Sequence, residues 1–177
     1  MQDNKTSGAA GRFVHALAEG VAIFGGLCLV AASILTGISI LGGQVYKPLP
    51  GEIELVEMLC GLAVFAFLPF CQLKKGHVGV DLLINALGSG AIRWTQLIGD
   101  VIITGLLALI AWRHWLGTVD KFHNGEFTPI LFVPLWWGYA ASMLLLIVAV
   151  VVGFWCIYSD IRDIRRGAQI EIPLGGH

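Results

Sequence analysis

From Gly20 to Leu41 the chain carries no charged side chain, a run of 22 residues. As a helix that run measures about 33 Å, against roughly 30 Å for the hydrocarbon core of a bilayer. A secretory leader has a shorter apolar core and a small-residue cleavage site, so this run is expected to be an uncleaved membrane span. Three further apolar runs follow, at about 52–73, 94–116 and 135–158. The few charges gather between them. A chain patterned this way has one economical solution: helices that satisfy their own backbone hydrogen bonds while crossing the membrane.

The rest of the composition agrees. Over 177 residues, hydrophobic side chains reach 56% and charged ones 13%, with a mean hydropathy of +0.80. That charged share is about half of what a soluble domain carries. The net charge of −1 points to no nucleic-acid partner. The expected architecture is all-α: a single membrane domain, residues 1–177, with four transmembrane helices.

Between the first two spans, Gly42 to Pro50 is a short loop broken by a Gly-Gly pair and two prolines. The second span opens on Glu52, Glu54 and Glu57 and closes on Lys74 and Lys75. Acid at the start and base at the end complement the helix macrodipole. Pro69 falls in the last turn, where it is expected to kink or loosen the helix end. Beyond Gly76, residues Val80, Leu83, Ile84 and Leu87 repeat at helical spacing over about 79–88. That stretch is too short to cross, so it is expected to lie in the interface as a short amphipathic helix between spans two and three. Asp120 to Glu126 reads as a polar loop, and residues 159–177 as a tail.

Orientation follows from the positive-inside rule. With both termini cytoplasmic, the inner segments hold eight Lys and Arg (Lys5, Arg12, Lys74, Lys75, Arg93, Arg162, Arg165, Arg166) and the outer ones three (Lys47, Arg113, Lys121). The tryptophans give a second ruler. Trp94 and Trp155 are expected at the inner interface, and Trp112, Trp115, Trp136 and Trp137 at the outer one. Trp94 to Trp115 spans about 31 Å of helix and Trp136 to Trp155 about 28 Å, both close to the bilayer thickness.

Candidate sites are sparse. Asp100 lies about 9 Å of helical rise beyond Trp94, within a span, where a carboxylate is costly. It is expected to be a paired structural group, with proton or ion coupling as the rival. Glu54 and Glu57 share a face at the outer end of span two, and Arg113 sits at similar depth on span three; a Glu–Arg contact between those spans is expected. Ser33, Thr36, Thr104 and Ser142 are expected to hydrogen-bond between helices. Ala22-x-x-x-Gly26 and Ser33-x-x-x-Gly37 place small residues one turn apart, which permits close helix approach.

Several functions are excluded. The cysteines at 28, 60, 71 and 156 form no C-x-x-C pair. Cys60 and Cys71 would stand roughly 16 Å apart on one helix, beyond a disulfide's reach. The histidines offer no two rings at one depth on facing spans, as a haem would need. No phosphate loop and no Ser/His/Asp or Cys/His arrangement occurs, so no catalytic, metal or cofactor site is expected. Transport by the chain alone would call for inverted repeats and helices broken at mid-membrane. The spans run unbroken through their centres, which leaves an accessory four-helix membrane subunit.

The order of pieces in residues 51–83 is more specific. Glu54-x-x-Glu57, then Leu68-Pro69-x-x-Gln72, then Gly76-His77-Val78-x-Val80-Asp81 resembles the small, DctQ-like membrane subunit of tripartite ATP-independent periplasmic (TRAP) transporters. Length, four spans, both ends inside and a lateral helix after span two are similar to that family. The resemblance implies a bacterial inner-membrane system for sodium-coupled uptake of an organic acid. Its partners would be a large multi-span subunit carrying the substrate and sodium sites, a periplasmic substrate-binding protein, and the surrounding lipids. This chain would brace the fixed scaffold. His77 and Asp81 would then shape the turn into the lateral helix, and Gln72 would belong to the same structural or partner-facing set as Glu54, Glu57, Asp100 and Arg113. Lys47, Asp120, Lys121 and Glu126 would face the periplasm. The rivals are a four-span anchor for a redox or signalling partner and a small homo-oligomeric exporter.

Overall fold

A computed structural model describes residues 9–45, 47, 49–74 and 89–165; within it, side chains are described except at 9, 10, 45, 89–95, 163 and 165. Four helices account for nearly all of them: α1 (Ala9–Val45), α2 (Glu52–Leu73), α3 (Ser89–Asn124) and α4 (Leu135–Arg165). All four are long and apolar enough to cross a membrane. The expected lateral helix at 79–88, with His77 and Asp81, lies outside the described residues.

The helices stand in an open row rather than a closed bundle. α1 packs on α2, α2 on α4, and α4 on α3, with only a slight contact between α1 and α4. Each helix therefore turns much of its surface outward. In the most apolar stretch of each, 17% of residues are buried for α1, α2 and α3, and 33% for α4, which meets α2, α3 and, slightly, α1.

The first turns of α1 reach the last turns of α4. Val14, Ala18, Val152 and Cys156 form a buried cluster there, covered by Leu73, Val148 and Trp155. This explains why α1 is helical eleven residues before the uncharged run begins at Gly20. Val14 and Ala18 are one turn apart, so a helix buries both while Arg12 and Glu19 stay exposed. The start of α1 and the end of α4 thus lie at one end of the row, the terminal end. The opposite end, bearing Gly51 and residues 125–134, is the loop end.

α3 also outruns its expected limit. Asp120 to Asn124, expected as loop, continues the helix, and the chain leaves it only at Gly125. Gly125 has φ 59°, the left-handed conformation that commonly ends helices. Lys121 and His123 in the last turn suit the negative end of the helix dipole. Likewise α4 continues through Arg165, so the first residues of the expected tail are helical. Pro69 is fully buried within α2, which runs to Leu73 as expected.

The close approach between α1 and α2 falls at Gly25, outside the Ala22/Gly26 and Ser33/Gly37 pairs. A Cβ there would sit 2.9 Å from Ala66 Cβ and 3.3 Å from Ala63 O, whereas Gly26 and Gly37 have open space within the chain. The 3.6-residue period decides which of two adjacent glycines faces the neighbour.

Candidate functional site

The most highly organised polar site lies at the loop end, where the segment joining α3 to α4 closes over the start of α2. α2 begins at Gly51, whose φ of 77° lets the chain turn sharply into the helix without a side-chain cap. Glu52 and Glu54 occupy the first turn, where the unpaired N–H groups favour negative charge. Glu54 turns its carboxylate to the other segment. Its Oε1 accepts the Ile130 N–H at 2.8 Å and its Oε2 the Leu131 N–H at 3.0 Å. Leu131 in turn lies directly over Gly51, where its side chain fills the space a Cβ would take.

The segment is held just as firmly from within. Thr128 N–H donates to Val133 O at 2.9 Å and Phe132 N–H to Thr128 O at 3.2 Å. Val133 N–H donates to the Thr128 hydroxyl at 3.0 Å, and that hydroxyl is also hydrogen-bonded to Glu54. Leu135 N–H reaches Glu126 O at 3.0 Å, and Phe127 pairs with Pro134 in an isolated antiparallel bridge. Lys121 Nζ lies 2.6 Å from Glu126 Oε2, tying the segment to α3. Phe132 takes φ 51°, an uncommon conformation for a residue with a bulky side chain.

This corrects the expected Glu–Arg contact. Glu54 is engaged by backbone donors of the 128–131 turn, Glu57 and Arg113 are exposed, and among the described residues no ion pair joins Arg113 to either carboxylate. Sequence alone could not supply these partners, because backbone N–H groups carry no residue identity. The one available signal was Gly51 ahead of an acid-led helix.

Beyond this cap, His114 of α3 packs between Phe65 of α2 and Tyr139 of α4. Its ring stacks on Tyr139 with centroids 5.1 Å apart and meets Phe65 at 5.4 Å. His114 Nε2 lies 3.1 Å from Tyr139 O, and Thr118 Oγ1 donates to His114 O at 2.8 Å. An open cleft of about 310 Å³ adjoins it, lined chiefly by Glu57, Met58, Gly61, Leu135 and Ser142. Most of its lining is apolar, and no group of metal-ligating side chains occurs there or elsewhere among the described residues.

The remaining candidates scatter. Asp100 and Thr104, one turn apart on α3, are both buried, and Thr104 fits against Gly153 of α4. Gln72 is buried near the terminal end, its backbone carbonyl 3.8 Å from Cys156 Sγ. The structure does not bring Gln72, Asp100, Arg113 and Glu54 into one site. The hydroxyls expected to bridge helices mostly do not: Ser33 Oγ donates to Leu29 O and Ser142 Oγ to Gly138 O, each within its own helix. All four cysteines are free. Trp112, Trp115 and Trp137 are exposed, Trp136 meets Phe122 edge-on at 5.4 Å, and Trp155 packs beside Tyr158; the Trp94 side chain lies outside the described residues.

Four continuous apolar helices, capped at one end by a hydrogen-bonded turn and open along both faces, define a multi-span membrane protein. Residues 32–166, most of the chain, match the family described as Tripartite ATP-independent periplasmic transporters, DctQ component. The chain belongs to that family, the small membrane component of TRAP transporters. No curated protein and no solved structure matches it.

Proposed function

We propose that the chain is a non-catalytic brace. It would enlarge and stiffen the fixed scaffold of a large TRAP membrane subunit, in the bacterial inner membrane, during sodium-coupled uptake of an organic acid. A periplasmic binding protein would deliver that substrate. The observation that supports this best is the open helix row: three of its four helices bury only 17% of their most apolar stretch within the chain. A row with so much outward apolar surface offers a large subunit a broad wall. Exposed Glu57 and Arg113 would contribute polar contacts to such a partner, and the resemblance gives His77 and Asp81 the same role. Both termini are assigned to the cytoplasm, from the excess of Lys and Arg in the segments at the terminal end.

Reconstitution tests the proposal. Liposomes holding this chain, the large subunit and the binding protein should accumulate an organic acid under an inward sodium gradient. Liposomes lacking this chain should not, and the chain alone should move nothing. Transport by the chain alone would replace this reading with a small exporter. Co-purification with a redox enzyme or a haem spectrum would replace it with a membrane anchor.

A further inference from the structure

We propose that the turn from Thr128 to Leu135 is built to lie within the lipid interface, as an apolar lip inserted into the leaflet at the loop end, rather than as a water-exposed loop.

The first argument is the fate of its backbone donors. A loop in water leaves N–H groups to the solvent, but in lipid each must find a partner within the protein. Here every one does. Thr128 and Leu135 donate to main-chain oxygens of Val133 and Glu126, Phe132 to Thr128 O, Val133 to the Thr128 hydroxyl, and Ile130 and Leu131 to Glu54. The two remaining residues are Pro129 and Pro134, which have no N–H to satisfy. Glu54 supplies two acceptors that the turn itself cannot, since neither Ile130 nor Leu131 has another partner.

The second argument is chemical continuity with the spans. From Phe127 through Ser159 there is no charged side chain, so the turn and α4 form one uncharged run. The charge just before it, Glu126, is neutralised by Lys121. The side chains pointing away from the protein are Ile130 at 54% exposure and Phe132 at 73%. Residues that bulky and apolar, presented by a fixed turn, gain nothing from water.

The third is level. Leu131 sits over Gly51 and Trp136 meets Phe122, so the turn lies beside the first turns of α2 and α4. Ile53, in that first turn of α2, is itself 70% exposed, and Trp137 is exposed beside Trp136. Aromatic and apolar groups at this level match the layer where amphipathic rings settle in membranes. The turn therefore continues the lipid-facing surface of the helices beyond their ends, and its occupant is lipid.

Site-directed spin labelling of the full chain in bilayers tests this, with and without the large subunit and binding protein. After the native cysteines are replaced, single labels at 130, 132 and, as a water-exposed control, 124 are probed with oxygen and with a water-soluble nickel chelate. Labels at 130 and 132 should collide with oxygen freely and with nickel several-fold less than the label at 124, whether or not partners are present. High nickel accessibility at 130 and 132 would overturn the proposal in favour of water. Low accessibility to both probes, appearing only when a partner is added, would overturn it in favour of a protein interface. In a Glu54→Gln background the amide offers one acceptor in place of two, and nickel accessibility at both labels should rise. Unchanged accessibility there would remove Glu54 from the arrangement.

Discussion

Thr104 of α3 stands in the notch left by Gly153 of α4: a Cβ added at Gly153 would lie 2.6 Å from Thr104 Oγ1 and 2.9 Å from its Cγ2. Threonine is branched at Cβ, so turning one of its substituents out of the notch brings another toward it. The contact brings the two backbones together where, among the described residues, α3 is most strongly attached to the row. Gly153→Ala should destabilise the protein by about 1–3 kcal/mol through overpacking. Adding Thr104→Ala should restore part of that loss, because it empties the space the new methyl needs. Thermal melting in detergent, read by tryptophan fluorescence, checks both variants. Equal melting of the single and double variants would show that the notch does not set the helix separation.

Gly51 answers to two constraints at once. Its φ of 77° disfavours any side chain, and Leu131 fills the space where one would go. Gly51→Ala should cost about 1–2 kcal/mol from the left-handed conformation alone, with overpacking in addition. Leu131→Ala in the same chain should relieve the steric part and leave the conformational part. Partial recovery in melting is the expected result; full recovery would mean the backbone strain is negligible.

Glu54 and Arg113 should behave as independent residues. Arg113 is exposed with no ion pair to Glu54, so Arg113→Ala should leave the yield of folded protein unchanged. Glu54→Ala should lower it and should speed hydrogen exchange at Ile130 and Leu131, and Arg113→Ala should not rescue it. Fluorescence-detected size exclusion measures yield, and exchange mass spectrometry reads the turn. Rescue would restore the interhelical ion pair.

His114 combines stacking on Tyr139 with a hydrogen bond to its carbonyl. His114→Phe keeps the ring and loses the bond, at a cost of about 1 kcal/mol. His114→Ala loses the ring contacts as well, worth about 0.5–1.5 kcal/mol beyond buried area for such a pair. The alanine variant should therefore melt lower than the phenylalanine variant. Equal melting of the two variants would assign the site's stability to the hydrogen bond alone.

Much of the architecture is written in one dimension. Spans are set by where charges stop and start, and those positions can be counted along the chain. The limits that moved did so where local polarity and tertiary packing compete. Residues 9–19 look like a polar lead-in, yet Val14 and Ala18 dock on α4 and hold them helical. Residues 120–124 look like a loop, yet Gly125 rather than Asp120 supplies the conformation that ends a helix.

Site partners were less legible than spans. An acidic residue at a helix start invites a search for a basic one, and Arg113 stood at a suitable depth. The carboxylate instead met two amide hydrogens, which every non-proline residue possesses and no sequence pattern marks. The glycine that sets the α1–α2 distance, Gly25, carries no mark in the string for a related reason: small-residue spacing gives a face, and the neighbour's position chooses which face is used.

The sequence by itself determined that this chain crosses the membrane with four helices and, through the order of residues 51–83, which family it belongs to. Hydrophobicity and local order survive in a linear string because each residue contributes them alone. Only the tertiary structure decided that the helices form the open row α1–α2–α4–α3, that Glu54 fastens the turn between α3 and α4, and that every N–H group of residues 128–135 finds a partner within the protein. Those outcomes depend on distances between residues as many as 77 positions apart, and such distances exist only once the chain has packed.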